Sequence, residues 1–310
     1  VTTPSAVDTL RAAHHHSVMI AAIPFPDLSP EVFSINLFGN EFALRWYALA
    51  YIVGIGLGWL TVRRALSRPA LWHNDTPPMD KRTLEDLMTW IIVGVILGGR
   101  FGYILFYRLD YYLSNPAEIM MVWQGGMSFH GGFLGVILAV LIYSRVKGLR
   151  LGSVADSMAL GTPFGLLLGR IANFVNAELW GRVTDVPWAV IFPGEAAQSC
   201  LLPVCARHPS QLYEAAMEGL ILGGVLLYLA FRRGALKTPW LITGVFFAGY
   251  GISRFIVEFF RQPDAQFQTP GNPLGLAYHI GGYGLTMGQF LSLPMIIIGI
   301  GLVIWARKRA

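Results

Sequence analysis

VADSMALGTPFGLLLGRIANFVNAELWGR, residues 154–182, decides how this chain is read. Its first two thirds are apolar or small apart from Asp156, about the length of a membrane-spanning helix. It then ends in Arg170, Asn173, Asn176, Glu178 and Arg182. An arginine set in hydrocarbon costs at least ~2.5–3.5 kcal/mol on insertion scales, so it faces a partner or a wet cavity. Arg100 and Arg254 also interrupt apolar stretches. Three embedded cations in one chain imply an anionic ligand held near the bilayer.

The rest of the chain fits that reading. Of its 310 residues 54% are hydrophobic and 13% charged, against about 25% charged in a soluble domain. Apolar runs predict seven spans, at approximately 43–62, 87–106, 130–146, 154–176, 215–231, 240–259 and 285–306. The expected fold is all-α, a polytopic membrane protein. Residues 43–310 form a single domain with short loops, and residues 1–42 form an outer tail with an amphipathic interfacial arm. The first forty residues lack the basic start and continuous apolar core of a cleavable signal peptide.

Charge orients the spans. Arg63, Arg64, Arg68, Lys81 and Arg82 follow the first span, and Arg145, Lys147 and Arg150 the third. Arg232, Arg233 and Lys237 follow the fifth, and Arg307, Lys308 and Arg309 the seventh. The opposite side keeps Arg11, Arg108, Arg182, Arg207 and Arg261. Positive loops stay cytoplasmic, so the N-terminus is expected outside and the C-terminus inside. The net charge of +5 then needs no nucleic-acid partner.

That orientation brings the polar groups to one depth. Arg100, Arg170, Asn173, Asn176, Tyr250, Arg254 and Glu258 fall in the outer halves of outward-running spans. His130 and the Arg45-Trp46-Tyr47 triplet open inward-running ones. Tyr250, Arg254 and Glu258, spaced four apart, form one stripe. Few acids are evident near these cations, and a lipid phosphate is the anion expected at this depth. An ion-pair network that only locks helices, or a transporter for an organic anion, would use the same residues. Transporter sites, however, lie near the midplane between repeats, and no repeat is visible.

Other motifs are weaker. Gly161, Gly165 and Gly169, like Gly54 with Gly58 and Gly94 with Gly98, read as close helix-packing sites. His130, flanked by glycines in GGMSFHGG (125–132), is a candidate catalytic group. Ser128 lacks the G-x-S-x-G context of a nucleophile elbow. No H-E-x-x-H or paired C-x-x-C is present, so no metal is expected. His14-His15-His16 identifies nothing. Cys200 and Cys205 share an outer loop, where a disulfide and free thiols are equally open readings.

Taken together these residues resemble the bacterial phosphatidylglycerol–prolipoprotein diacylglyceryl transferases. The family signature G-R-x-[GA]-N-F-x-N-x-E-x-x-G runs from Gly169 to Gly181. Further matching blocks are Arg45–Tyr47, Gly98–Tyr103, Gly125–Gly132, His208–Glu214 and Arg254–Asp264. Ala177 stands where glycine is common, and the 200–205 and 268–284 loops look individual. The resemblance implies transfer of the sn-1,2-diacylglyceryl group of phosphatidylglycerol to the lipobox cysteine of a preprolipoprotein signal peptide. A thioether forms and glycerol 1-phosphate leaves. The catalytic residues would be His130 as base with Arg170 and Arg254 on the phosphate. Tyr47, Arg100, Asn173, Asn176, Glu178, Gly181, Tyr250, Glu258 and Arg261 would bind substrate. The implied protein is a monomer of the bacterial inner membrane, surrounded by membrane lipids, with its site toward the periplasmic leaflet and no cofactor.

Overall fold

The computed structural model describes residues 22–37, 40–263, 265–280 and 283–309. The expectations placed on residues 1–20, Arg11 and His14–His16 included, and on Asp264 lie outside them. Long helices dominate: α1 (Trp46–Leu66), α2 (Lys81–Tyr107), α3 (Phe129–Val146), α4 (Leu151–Val175), α5 (Ser210–Arg232), α6 (Leu241–Val257) and α7 (Met287–Arg307). Among the described residues five of them, α1, α2, α4, α5 and α7, are long and apolar enough to cross a membrane. Helices α3 and α6 are apolar but shorter. The outer faces are apolar, with Ile52 65%, Leu105 58% and Ile297 69% exposed, a surface suited to hydrocarbon and not to water.

The fold is mostly helical rather than all-α. Among the described residues there are three two-stranded sheets. Strand β1 (Ile23–Pro24) pairs in parallel with β4 (Val190–Ile191). Strands β2 (Glu31–Leu37) and β3 (Asn40–Arg45) form an antiparallel hairpin immediately before α1, within the stretch expected to hold the interfacial arm. Strands β5 (Tyr278–Ile280) and β6 (Tyr283–Leu285) form a second hairpin before α7. The loop between α4 and α5 is not short. It folds around Val190, Phe192 and Ala197, onto which Phe25, Phe174 and Trp180 pack, and the Cys200–Cys205 disulfide closes its tip.

Local chemistry starts the helices. Asp80 accepts the Thr83 N–H at 2.7 Å ahead of α2, and Thr286 and Gln289 form a reciprocal capping box on α7. Helix α6 is capped from a distance: Asp156 on α4 accepts the Trp240 and Thr243 N–H groups at 2.8 and 2.7 Å. Glycines set the spacing between helices. A Cβ on Gly58 of α1 would sit 2.7 Å from the Gly161 carbonyl of α4, and one on Gly102 of α2 would sit 2.7 Å from Cα of Gly131 on α3. Gly94 and Gly98 face Gly135 and Gly131 in the same way. Gly169 departs from the packing expectation, because a Cβ there would meet nothing within 4 Å. The main core lies toward the other end of the bundle, around Trp72, Leu84, Leu87, Tyr143, Leu160, Leu226, Leu236 and Ile242.

Candidate active site

Helices α4, α5 and α6 converge on a cluster of six charged groups. Arg170 of α4 lies 3.2 Å from Glu214 and 3.7 Å from Glu218, both on α5. Arg254 of α6 bonds Glu214 and also Glu258 four residues on, at 2.8 Å. Arg261, just past α6, reaches Glu214 at 3.0 Å and Glu258 at 3.7 Å. Glu214 thus contacts all three guanidiniums, and Glu214 and Glu218 are fully buried.

This corrects the expectation of cations short of acids: three guanidiniums meet three carboxylates. Arg261, expected on the outer side and among the substrate-binding residues, is drawn into the cluster, its side chain only 16% exposed. Glu218 was missed although a signal was available. Two acids four residues apart in an apolar run share a helix face, and an intramembrane acid requires a partner.

The backbone explains how the acids arrive there. Helix α5 widens to a π-helix over Ala215–Ile221, a device frequent at functional sites. A Cβ on Gly219 would lie 2.6 Å from the Leu167 Cα, so glycine allows α5 to close on α4 beside Arg170. Gly288 of α7 similarly leaves room for the Glu258 carboxylate.

The cluster retains polar capacity. No hydrogen bond among the described residues takes either Nη group of Arg170, whose side chain is 20% exposed. The carboxylate oxygens of Glu218 and Asn176 Oδ1 are buried without a hydrogen-bond partner among those residues. Beside them, buried Asn173 donates through Nδ2 to Glu178 at 2.7 Å and to the Tyr47 hydroxyl at 3.3 Å. Glu178, expected to bind substrate, orients Asn173 here. Tyr47 and Tyr250 both stand within electrostatic reach of Arg170.

The loop after α4 fixes this arrangement. Ala177 and Leu179 take left-handed conformations, with φ of 53° and 56°, which turn the chain back over the helix end. The Gly181 N–H donates to the His208 carbonyl at 2.9 Å, and Arg182 N–H to the Phe260 carbonyl at 2.8 Å. Gly181 sits where a Cβ would be 2.7 Å from that of His208. It ties the loop to the segment that carries Arg261, and Arg182 Nε donates to the Arg261 carbonyl. Buried Arg207 braces the same loop: it stacks 4.0 Å from the Trp180 ring and donates to the carbonyls of Ala197 and Gly181 and to Gln262. Burial lowers the pKa of His208 below its ordinary 6.5, and its Nδ1 lies 3.1 Å from the Tyr213 hydroxyl.

Arg100 and His130 stand on other helices. Arg100 is buried, its nitrogens donating to the carbonyls of Glu118, Ile119, Gly125 and Gly126 and its guanidinium lying 4.9 Å from the Tyr112 ring centre. It shapes the loop leading to α3. His130 opens α3, one residue after Phe129, and is exposed. Groups of three or more His, Cys, Asp or Glu able to hold a metal ion do not occur among the described residues.

Fold and site together define a membrane protein with a buried arginine–glutamate cluster at one end of its helix bundle. The chain belongs to the prolipoprotein diacylglyceryl transferase family, whose model matches residues 32–305. It is 66% identical over 294 residues to the phosphatidylglycerol–prolipoprotein diacylglyceryl transferase of Roseobacter denitrificans, covering 94% of this chain and 100% of that one. Its similarity to the proteins of that name from Ruegeria pomeroyi and Rhizobium meliloti is 66% over 291 residues (93% and 99% covered) and 48% over 291 residues (94% and 96%).

Proposed function

We propose that this protein is a membrane transferase that moves the sn-1,2-diacylglyceryl group of phosphatidylglycerol onto the lipobox cysteine of preprolipoprotein signal peptides. The observation that carries this reading is the pair Arg170 and Arg254, held on buried Glu214 from two helices, with both Nη groups of Arg170 left for a ligand. The family and the relatives' names supply the two substrates.

The cysteine sulfur attacks the glyceryl carbon next to the phosphate. A carbon–sulfur bond forms as the carbon–oxygen bond breaks, and the bonding pair leaves with the phosphate of glycerol 1-phosphate. Arg170 and Arg254 bind that phosphate and stabilise its developing charge. Glu214, Glu218 and Glu258 hold the guanidiniums in place, so they need not reorganise as charge develops. Asn176, through its unpartnered oxygen, takes a headgroup hydroxyl, with Tyr47, Asn173 and Tyr250 around it. The thiol, ordinarily near pKa 8.5, must lose its proton to attack, and His130 is the proposed acceptor. The acyl chains stay in the bilayer, each buried CH₂ contributing about 0.8 kcal/mol to retention.

The same reading gives seven spans, α1 to α7, in the bacterial inner membrane. The N-terminus is outside, the C-terminus cytoplasmic, and the cluster toward the periplasmic leaflet. The basic residues that follow α1, α3, α5 and α7 support this orientation. The described residues before α1 form an outer arm, the helices and loops that follow form the catalytic domain, and a monomer suffices without a cofactor.

The test is purified protein in detergent with phosphatidylglycerol and a lipobox peptide, followed by mass spectrometry. A diacylglyceryl mass gain on the cysteine peptide only, with glycerol 1-phosphate released, is expected. Arg170→Ala and Arg254→Ala should each slow turnover roughly 10²–10³-fold. Unchanged turnover in both would remove the arginines from the mechanism. Near-normal rates in His130→Gln would remove the base role alone.

A further inference from the structure

At the opposite end of the bundle from the cluster, α1, α4 and α5 line an open groove of about 770 Å³. Its rim carries Arg64 at the end of α1, Arg68 just beyond, and Arg232 at the end of α5. Its walls are apolar: Phe164 of α4 and Leu227 and Phe231 of α5. No acidic residue lines it, and none of the three arginines is in an ion pair among the described residues. The Arg68 guanidinium lies 5.8 Å from the Phe231 ring centre, which keeps it against the groove.

The contrast with the cluster is chemical. There, every buried guanidinium has carboxylate partners. Here, three guanidiniums share one concave rim without any among the described residues, beside aromatic and aliphatic side chains of α4 and α5. Exposed Tyr228 adds a phenol to the lining about one turn below Arg232. A basic rim over an apolar slot between membrane helices matches an anionic lipid, phosphate uppermost and chains downward. A soluble phosphate would use the rim and leave the walls unoccupied.

We infer that this groove is a second lipid site, which holds an anionic phospholipid by its phosphate on Arg64, Arg68 and Arg232 and by its acyl chains against Phe164, Leu227 and Phe231. It lies at the far end of the helices from Arg170 and Arg254, so its occupant is not the reacting lipid. Its role is to fill the seam between α1, α4 and α5 and hold α4 and α5 together at the end away from the chemistry.

Native mass spectrometry of the detergent-purified full chain tests this, with phosphatidylglycerol and phosphatidylcholine of matched acyl chains as probes and no peptide present. The wild type should retain one more phosphatidylglycerol than the double variant Arg64→Gln/Arg232→Gln, with phosphatidylcholine adducts equal in both. Two lost arginine contacts should weaken that lipid roughly 30-fold, while turnover of peptide stays at the wild-type rate. Arg64→Gln alone, at an exposed and unpaired position, should show a smaller loss in the same direction and serves if the double variant does not fold. Equal retention of phosphatidylglycerol by wild type and both variants would overturn the inference. So would equal retention of the two lipids at this site, or retention of glycerol phosphate, which has no acyl chains, to the same extent as phosphatidylglycerol.

Discussion

At one end of the bundle Arg170, Arg254 and Arg261 are largely withdrawn from water and paired with Glu214, Glu218 and Glu258. At the other, Arg64, Arg68 and Arg232 stand exposed around an apolar groove, with no carboxylate beside them among the described residues. The difference follows from depth. A guanidinium withdrawn from water between helices is tolerable only if charge and hydrogen bonds are supplied at close range. One at a helix end can extend toward headgroups and needs no protein partner. The first kind of arginine is preorganised and suits chemistry. The second is adaptable and suits lipid contact.

The sharpest way to break this comparison is Glu214→Ala. It leaves three guanidiniums with a shared partner missing, and breaking a buried pair from one side costs about 3–5 kcal/mol. A large fall in melting temperature in detergent is expected, with turnover abolished. A variant as stable as wild type would show that the cluster is hydrated and the pairs weak. Next is Arg100→Ala, which strands carbonyls of Glu118, Ile119, Gly125 and Gly126. A hydrogen bond from a charged donor is worth about 1.5–3 kcal/mol, so a loss of stability on that order is expected. Headgroup binding should persist if Arg100 is structural, and its loss together with stability would return Arg100 to the substrate site.

Two smaller effects probe the loop that covers the cluster. Ala177 holds φ at 53°, a conformation that costs a residue with a Cβ roughly 1–2 kcal/mol. Ala177→Gly should therefore raise the melting temperature modestly, and a fall would mean that the methyl group packs usefully. The smallest effect is pH-dependent. The folded pKa of His208 lies below its unfolded value near 6.5 because burial penalises the imidazolium. The folded state thus binds fewer protons in this window, and stability falls as pH drops from about 6.5 through the folded pKa. His208→Phe should flatten that slope in thermal melts, and an unchanged slope would assign it to another group.

Composition and residue spacing were enough to set the class of the molecule and where its helices run. Apolar runs of membrane length have no alternative in water, and Arg170, Asn173 and Arg254 stand out because polar residues are costly there. The glycine spacings marked where helix backbones approach closely, with Gly169 the exception, and the pairing of α1 with α4 and of α2 with α3 came from the folded arrangement. Which charges meet depends on how the helices pack. Glu214 and Glu218 lie far along the chain from Arg170 and Arg254, and a π-turn in α5 together with Gly219 against Leu167 brings them to the arginines. Neither signal has a period that can be read in one dimension. The hairpin at 31–45, the buried Arg207 and the division of Arg100 from the cluster were hidden for the same reason. A side chain's partner depends on the distance and rotation between segments, and those are set by packing rather than by the composition of either segment.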